Sequence, residues 1–403
     1  MKKTIYTILA VLSISLSACK KDHESNEETT KIKIGGLFSL TGNWSSLGKN
    51  SQAAMNLALV DVNNYLEETG SKYQFETVVY DTQLDTSSAK SAIQLGFSQK
   101  GVRFFIGPQS SAEVAAIREY ANNNNILIIS QGSTASSLAI PNDAIFRFCP
   151  GDAVEGAAIS RTMYTSGKRV VISLSRNDAG NIGLQNSVGT SFSALGGQVD
   201  ALTPYATNQS DFTAIIQQLR AKIQQYTNTY GASQVAVYIA SFDECVNLFS
   251  QASGDAVLSS VNWYGGDGMV QSSTLLGDVN ARTFAMTTNF FAPNFGLPAL
   301  AHPQLNTIST AIQNITGIEP DAYALSVYDA MWVLARTISS YSDVLENFSS
   351  LKTEFSQEAN QYFGITGPVL LNANGDRNIG SFDYWGIVSQ GGNYIWKIVG
   401  KSN

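Results

Sequence analysis

The chain is poor in the residues that catalysis and metal binding most often need. Its 403 residues include only two histidines, His23 and His302, and three cysteines. So few histidines exclude a histidine-dependent catalytic triad and a histidine-rich metal site. A C-x-x-C pair, a phosphate-binding P-loop and a G-x-G-x-x-G turn are also missing from the sequence. We therefore expect no enzyme, no cofactor and no metal ion.

Charged residues are equally scarce. They make up 14% of the chain, and the formal net charge at pH 7 is −7. No cluster of lysine and arginine is interleaved with aromatic side chains, so we expect no nucleic-acid partner. Hydrophobic residues make up 44%, which is enough for the cores of two domains of ordinary size.

After residue 19 no hydrophobic run is long enough to cross a bilayer, but the first residues carry an export signal. Lys2 and Lys3 precede an apolar run at residues 5–16 that is too short to span a membrane. The run ends in Leu-Ser-Ala-Cys, which resembles the lipobox of bacterial lipoproteins. We therefore expect residues 1–19 to be a lipoprotein signal peptide with lipidation of Cys19; an ordinary secretory signal is the alternative.

Residues 20–31, KKDHESNEETTK, have no apolar side chain to anchor them. We expect a flexible tether between a membrane lipid anchor and a folded body. Lys20 stands where a sorting rule known from proteobacteria places aspartate to keep a lipoprotein at the inner membrane. Its presence predicts a periplasmic protein anchored to the outer membrane.

The body shows the same alternation of strands and helices twice. In the first half, strand patterns at 32–38, 75–80, 103–106 and 126–129 alternate with helical stripes at 51–68, 87–99 and 111–122. A crossing strand at 146–150 leads to a second half with a similar pattern. This order predicts an α/β protein with two doubly wound parallel-sheet lobes and a cleft between them.

The chain is expected to return to the first lobe and to end in the second. A crossing strand is predicted at 283–291, and a hairpin at 381–388 and 394–399. The N-terminal lobe would contain residues 32–149 and 288–368, and the C-terminal lobe residues 150–287 and 369–403. A three-crossing hinge would lie near Cys149, Met286 and Val369. Cys149 and Cys245 are expected to be buried free thiols, although one disulfide is possible.

Ligands of open parallel sheets bind beyond the carboxyl ends of the strands, so the loops there carry the candidate site. In the loop GPQSSAE at 107–113, we expect Ser110 and Ser111 to contribute to ligand binding, although Ser110 with Glu113 also fits a capping box. Ser111 then lies in the first helical turn, whose free N–H groups favour an anion. The loop SQGSTASS at 130–137 again offers small hydroxyls and backbone donors. Together the loops predict a carboxylate site, with two ordinary helix caps as the alternative.

Other loops offer an acid and two aromatic walls. Asp267 lies between glycines in GGDG at 265–268, where it would pair with a ligand ammonium or serve as a turn residue. Trp44 stands in a polar loop at 39–48, and Phe242 follows the strand pattern at 234–240. Either ring would wall a ligand pocket or pack against its own lobe.

Two stretches of the chain resemble a known family. They are IGGLFSLTGNWSSLGKNSQAAMNLALVDVN at 34–63 and YDTQLDTSSAKSAIQLGFSQKGVRFFIGPQSSAEVAAIREYANNNNILIISQGST at 80–134. The second carries an acidic strand end, a G-P-x-S-S turn and an I-S-x-x-x-T turn in order. The chain thus resembles the type I periplasmic binding proteins, specifically the branched-chain amino-acid (Leu/Ile/Val) receptors of ABC transporters.

The resemblance implies specific roles for residues of this sequence. Ser111 and Thr134 would hold the ligand carboxylate with help from the backbone at Gly132, and Ser133 lies close by in the same turn. Asp267 falls where the family places an acid on the ligand's α-amino group. Contacts to the ligand's side chain would come from Trp44, Phe242 and Tyr323.

The implied function is capture of an amino acid or similar zwitterion by lobe closure, and its delivery to an ABC permease. The sequence departs from the family at the pocket for the ligand's side chain. Residues 177–180, Asn-Asp-Ala-Gly, lack the aromatic that many relatives place before the glycine. A bulkier ligand or one that is not an amino acid is therefore an alternative. A second alternative is an outer-membrane regulatory or interaction lipoprotein with the same fold and no transport role.

Overall fold

The computed structural model describes residues 29–297, 303–340 and 346–402. Cys19, His302 and the predicted tether up to residue 28 lie outside these ranges. No helix within the described ranges combines the length and apolar character needed to cross a membrane.

The strands of the described chain follow in order. They are β1 (Thr30–Phe38), β2 (Tyr73–Asp81), β3 (Phe104–Ile106), β4 (Leu127–Ser130), β5 (Ile145–Pro150), β6 (Val170–Ser175), β7 (Gln198–Ala201), β8 (Val235–Ala240), β9 (Asn262–Gly265), β10 (Phe291–Gly296), β11 (Phe363–Gly364), β12 (Gly367–Pro368), β13 (Asp376–Arg377), β14 (Ser381–Gln390) and β15 (Asn393–Lys401). β1 starts inside the predicted tether, because Thr30 and Lys31 pair with the first residues of β2.

Helices occupy most of the connections. They are α1 (Ser45–Glu68), α2 (Thr86–Lys100), α3 (Ser111–Asn123), α4 (Asp152–Thr165), α5 (Ala179–Ala194), α6 (Thr213–Tyr230), α7 (Cys245–Ala252), α8 (Ser273–Gly277), α9 (Val279–Thr287), α10 (Leu305–Thr316), α11 (Ala322–Ser340) and α12 (Phe348–Gln361).

The strands form two main sheets, which agrees with the predicted fold class. The first has the order β13-β5-β4-β3-β1-β2 and is parallel throughout. The second has the order β15-β14-β10-β9-β8-β6-β7, and its last two strands in sequence, β14 and β15, form the predicted antiparallel hairpin at one edge. Central strands such as β4 are buried along their whole length because helices cover both faces of each sheet.

The connection between α9 and β10 differs from the sequence prediction. Residues 283–291 were expected to form one crossing strand, and this is wrong. Asp278 accepts a hydrogen bond from the Ala281 N–H (2.8 Å) and thereby caps α9, which buries Ala281, Phe284 and Ala285 on one face. β10 follows and pairs with β9 and β14, so the chain leaves the second sheet after Gly296 and not near Met286.

The last passage between the sheets also lies later than expected. β13 pairs with β5 in the first sheet, so the chain crosses between Arg377 and Ser381 and not near Val369. The chain passes between the two sheets three times, after β5, β10 and β13, and these passages meet at one place. A Cβ on Gly380 would overlap the Pro150 ring and lie 3.6 Å from the Phe295 ring. That the two sheets with their helices move as separate lobes remains a prediction.

Both cysteines within the described residues are free and buried, as predicted. The Cys149 thiol, near the first passage, donates to the Ser133 carbonyl oxygen at 3.4 Å. Burial raises the pKa of the Cys149 thiol above its usual range, so the thiol stays protonated and unreactive at neutral pH.

Candidate functional site

The start of α3 and the loop after β4 lie side by side, as the sequence predicts for the ends of neighbouring parallel strands. Ser111 is buried, and its Oγ accepts hydrogen bonds from the Ser133 hydroxyl and the Ala135 N–H, both at 3.1 Å. The first-turn N–H groups of α3 have no acceptor within the helix. This corner of the first lobe therefore gathers hydroxyls and amide donors suited to a carboxylate.

Ser110 has a different role from its neighbour. Its hydroxyl donates to Glu113 Oε2 at 2.5 Å and accepts from the Glu113 N–H at 3.3 Å, which completes a capping box. Because the hydroxyl hydrogen is committed to Glu113, Ser110 has none left to donate to a ligand. Helix capping therefore accounts for Ser110 in this arrangement, and its binding of a ligand stays a prediction.

The second lobe approaches the same corner through α5. Asp178 caps that helix by accepting a hydrogen bond from the Asn181 N–H at 3.0 Å. A Cβ on Gly180 would lie 3.3 Å from Ser111 Oγ, so the first turn of α5 faces the first turn of α3 across the two lobes. Thr134 also reaches the second lobe, since its carbonyl accepts from the Asp152 N–H at 2.8 Å.

Aromatic rings close the middle of the interface. The Trp44 ring lies 4.9 Å from the Phe242 ring of the second lobe and 6.3 Å from the Tyr323 ring, between ring centroids. A Cβ on Gly132 would lie 3.2 Å from the Trp44 ring, so a larger residue there would displace the indole. Trp44 Nε1 is buried and has no hydrogen-bond partner among the described residues.

Asp267 points out of its own lobe. Its Oδ2 accepts a hydrogen bond from the Tyr323 hydroxyl at 2.9 Å, and Tyr323 belongs to α11 of the first lobe. Its Oδ1 accepts from the Gly268 N–H at 2.8 Å. Burial raises the pKa of Asp267 to about 6, although the Tyr323 hydroxyl and the Gly268 N–H oppose that rise.

The structure thus brings Ser111, Ser133 and Thr134 together on one lobe, and joins Trp44, Phe242, Tyr323 and Asp267 across the interface. The sequence reasoning missed two acids at the start of α4, Asp152 and Glu155, which are both buried. The Asp267 N–H donates to Glu155 Oε1 at 3.2 Å. The only signal for them was the pair of acids three residues apart directly after a predicted crossing strand.

Arg147 on β5 fixes the loop that carries Ser133 and Thr134. Its guanidinium is 2% exposed and bonds the Asp376 carboxylate through Nε at 2.5 Å and a terminal nitrogen at 2.7 Å. The other terminal nitrogen donates to the carbonyl oxygens of Ala135 (2.7 Å) and Ser133 (3.3 Å). A bidentate pair of this kind orients the guanidinium, which in turn orients the loop.

A second set of polar contacts joins the two lobes through groups other than the hydroxyls and the carboxylate predicted to hold the ligand. The Trp44 N–H, at the N-terminus of α1, donates to Asp243 of the second lobe at 2.8 Å. Asp243 also accepts from the Ser272 hydroxyl. The Ser273 N–H donates to Ser46 Oγ at 3.2 Å. We call Asp243, Ser272 and Ser273 with Trp44 and Ser46 the latch.

A model of the periplasmic binding protein family matches residues 31–369. The chain belongs to this family. The predicted resemblance is therefore confirmed, and the family implies a place outside the cytoplasm. An uncharacterised protein of Methanocaldococcus jannaschii is 29% identical over 96% of this periplasmic binding protein and 94% of its own length. A Leu/Ile/Val-binding protein homologue of Brucella abortus is 26% identical over 55% of this chain, which spans about half (54%) of that relative.

Solved structures agree on the fold of this periplasmic binding protein. The leucine-binding protein LivK of Thermotoga maritima has a TM-score of 0.71 at 21% identity, covering 92% of this chain and 99% of that one. A solute-binding protein of an ABC transporter from R. palustris, in complex with benzoate, has the same TM-score at 16% identity, with 92% and 96% covered. The family match and the Leu/Ile/Val-binding protein homologue agree with the prediction that the chain is not an enzyme.

The buried carboxyls make the stability of this periplasmic binding protein depend on pH. Burial raises the pKa of five carboxyls within the described residues to about 6 or 7: Asp267, Asp321, Asp143, Asp152 and Glu113. Each therefore binds its proton more tightly in the folded chain than in the unfolded chain. Their stabilising contribution is complete below about pH 4 and is lost as the pH rises through 6 to 7.

We therefore expect the melting temperature of the ligand-free protein to fall by several degrees between pH 5 and pH 8. Carboxyls with a lowered pKa, such as Asp81 and Asp255, act at more acidic pH and leave this window unchanged. Differential scanning calorimetry at constant ionic strength measures how the melting temperature changes with pH. This change should be smaller in Asp267→Asn. A melting temperature that rises towards pH 8 would contradict the prediction.

Proposed function

We propose that this periplasmic binding protein captures an amino acid or a similar small zwitterion by closing its two lobes on it, and delivers it to an ABC importer. The observation that carries the proposal is the opposed chemistry of the interface. Hydroxyls and amides gather around Ser111 and Thr134, whereas a buried carboxylate, Asp267, faces the first lobe. A zwitterion presents the complementary groups, a carboxylate and an ammonium, at its two ends.

Such a ligand drives closure because it binds the closed state better than the open one. Its carboxylate would lie against Ser111 and Thr134, and its ammonium against Asp267, so both ends are satisfied only when the lobes meet. Hydrogen bonds to charged groups contribute about 1.5–3 kcal/mol each. Three or four of them support micromolar binding, near −8 kcal/mol, after the costs of ordering.

A thermal-shift screen tests the proposal. The twenty amino acids, small peptides and organic acids are added singly, and a bound ligand raises the melting temperature by mass action. We expect a shift from at least one amino acid or related zwitterion, and isothermal titration calorimetry then gives its affinity. A shift from carboxylates without an ammonium, and none from any zwitterion, would overturn the proposal.

Asp243 of the latch should set part of the affinity without contacting the ligand. Asp243→Asn removes an anion from the N-terminus of α1, where the helix dipole favours negative charge. We expect the closed state to lose about 1 kcal/mol, which is roughly a fivefold loss of affinity for the best ligand of the screen. Calorimetry measures this loss, and small-angle X-ray scattering should show a larger radius of gyration for the ligand-free variant.

The matched control for the latch is Asp278→Asn. Asp278 caps α9 within the second lobe, so this variant should lose stability and keep its affinity. If both variants bind as tightly as the unchanged protein, Asp243 has no part in closure.

We also propose that Cys19 carries a lipid and that the polar segment after it tethers the protein to the outer membrane. The sequence of residues 1–31 supports this, and the ligand-binding body does not depend on it. Membrane fractionation tests the anchor: the unchanged protein should sediment with outer-membrane markers, whereas Cys19→Ser should not.

A further inference from the structure

Glu155 lies beside the proposed ammonium site, and its carboxyl group is only partly hydrogen-bonded among the described residues. Its side chain is fully buried on the first turn of α4. Oε1 accepts the Asp267 N–H, but Oε2 has no hydrogen-bond partner among the described residues. A buried carboxyl oxygen without a partner costs free energy, so a group beyond those residues is needed to satisfy it.

A second buried polar atom points to the same place. The Tyr238 hydroxyl on β8 is buried and unpartnered within the described chain. It lies near Gly266, since a Cβ on that glycine would be 3.2 Å from it. Burial raises the pKa of Tyr238, and the charges of Glu155, Asp267 and Asp152 add to that rise.

Several charged and titratable groups interact with Glu155 or Asp267. They are Asp152 on α4, Tyr238 on β8, Tyr323 on α11 and Tyr384 on β14, and Asp178 and Asp321 also act on Asp267. All of these are acids or phenols, and Arg161 on α4, which acts on Tyr384, has an interaction of its own. The nearby cations are already engaged: Arg147 bonds Asp376, and Arg176 pairs with Asp178 and Glu244.

We infer that Glu155 is a second carboxylate of the cation site, which selects ligands that carry an ammonium or other N–H cation and releases a proton when such a ligand binds. The inference rests on the proposed function and extends it from one acid to two. A single ammonium has three N–H donors, enough to reach Asp267, Glu155 Oε2 and one further acceptor.

The proton has a defined origin and destination. Burial, together with the charges of Asp267 and Asp152, holds the pKa of Glu155 well above its usual range, so the empty site favours the protonated form of Glu155. The incoming cation favours the carboxylate, and the Glu155 O–H gives its proton to the buffer. The ligand keeps its own charge, so one positive charge enters the site as another leaves.

The test compares the unchanged protein with Glu155→Gln at pH 7. The probes are the twenty amino acids, with benzoate and 4-methylpentanoate as carboxylates that lack an ammonium. For the amino acid that gives the largest rise in melting temperature, Glu155→Gln should weaken binding about tenfold or more. The difference in affinity between this amino acid and the two carboxylates should therefore become smaller. Without ligand the variant should melt at the same or a higher temperature, because it removes a buried acid that lacks a partner.

Calorimetry of the unchanged protein measures proton release, which would not occur if Glu155 had a purely structural role. Binding heats in phosphate and in Tris buffer differ when a proton is released, because the two buffers take it up with different enthalpies. We expect a difference for the unchanged protein and none for Glu155→Gln. Glu358→Gln is the matched control: Glu358 is also buried but pairs with Arg336 in the first lobe, and its loss should leave affinity and proton release unchanged.

The outcomes separate this inference from the proposed function. Amino-acid binding that Glu155→Gln retains within about twofold, or equal heats in both buffers, overturns the role of Glu155 and leaves the proposed function standing. Failure of every amino acid to bind the unchanged protein overturns both. If Glu155→Gln fails to fold, its role is structural, unless the unchanged protein still releases a proton on binding.

Discussion

Asp267→Asn is expected to lower the affinity for an amino-acid ligand by about 2 kcal/mol or more, roughly thirtyfold. The asparagine oxygen can accept from the Gly268 N–H while its amide nitrogen donates to the Tyr323 oxygen, so the interface keeps its shape while the charge is lost. The ligand ammonium would then be buried beside a neutral amide, and a buried charge without its counter-ion is costly. Isothermal titration calorimetry with the best ligand of the thermal-shift screen measures the loss.

A carboxylate outside the interface serves as the control for Asp267→Asn. Asp200 on β7 pairs with Lys222 at 2.7 Å near the edge of the second sheet, so Asp200→Asn should bind as the unchanged protein does. Unchanged affinity in Asp267→Asn would remove Asp267 from the site. The two-lobed fold would be unaffected by that result.

Arg147→Met is expected to lower the free energy of unfolding by about 3–5 kcal/mol, because it leaves the buried Asp376 carboxylate without its partner. The carbonyl oxygens of Ser133 and Ala135 lose their donor as well. We therefore expect weaker ligand binding in addition to lower stability. Urea denaturation monitored by tryptophan fluorescence, and calorimetry of binding below the transition, measure the two effects.

A double variant separates the effects of Arg147 on stability and on the loop. Arg147→Met with Asp376→Leu replaces the ion pair by apolar side chains, which often restores much of the stability lost when one partner is removed. It does not restore the donors to Ser133 and Ala135, so binding should stay weak. Full recovery of binding in the double variant would show that Arg147 does not position the loop.

The central strands β3 and β4 of the first sheet were predictable because they are short apolar runs buried on both faces. Both begin and end within one residue of their predicted positions. α1 was predicted to start at residue 51, whereas it starts at Ser45. The intervening Gly48 weakens the helical signal, yet the structure requires it, since a Cβ there would overlap the Ser39 carbonyl oxygen.

Tertiary packing explains the elements that the sequence did not predict. α12 has a polar composition with only a narrow buried stripe, Leu351, Phe355 and Ala359, which becomes visible once it packs beside α11. β13 has two residues and exists because Arg147 and Asp376 join it to β5. Such short strands have no periodicity of their own for a sequence pattern to reveal.

The sequence could predict one part of the candidate site but not the other. The loops of Ser111 and Thr134 could be predicted to meet because they follow adjacent strands of one sheet. Glu155 and Asp243 could not be assigned, because their relevant contacts cross from one element or lobe to another and depend on how the lobes close. Sequence spacing defines neighbours within a sheet, but it does not define the angle between two sheets.

The convergence of the three passages at Pro150, Phe295 and Gly380 limits how the molecule can move. If the two sheets move as the predicted lobes, three segments that pass side by side through one narrow region would permit rotation about a common axis and resist sliding or twisting of one half against the other. The conformation would then be described by a single opening angle. A permease that contacts both halves would need to sense only that angle to distinguish a loaded protein from an empty one.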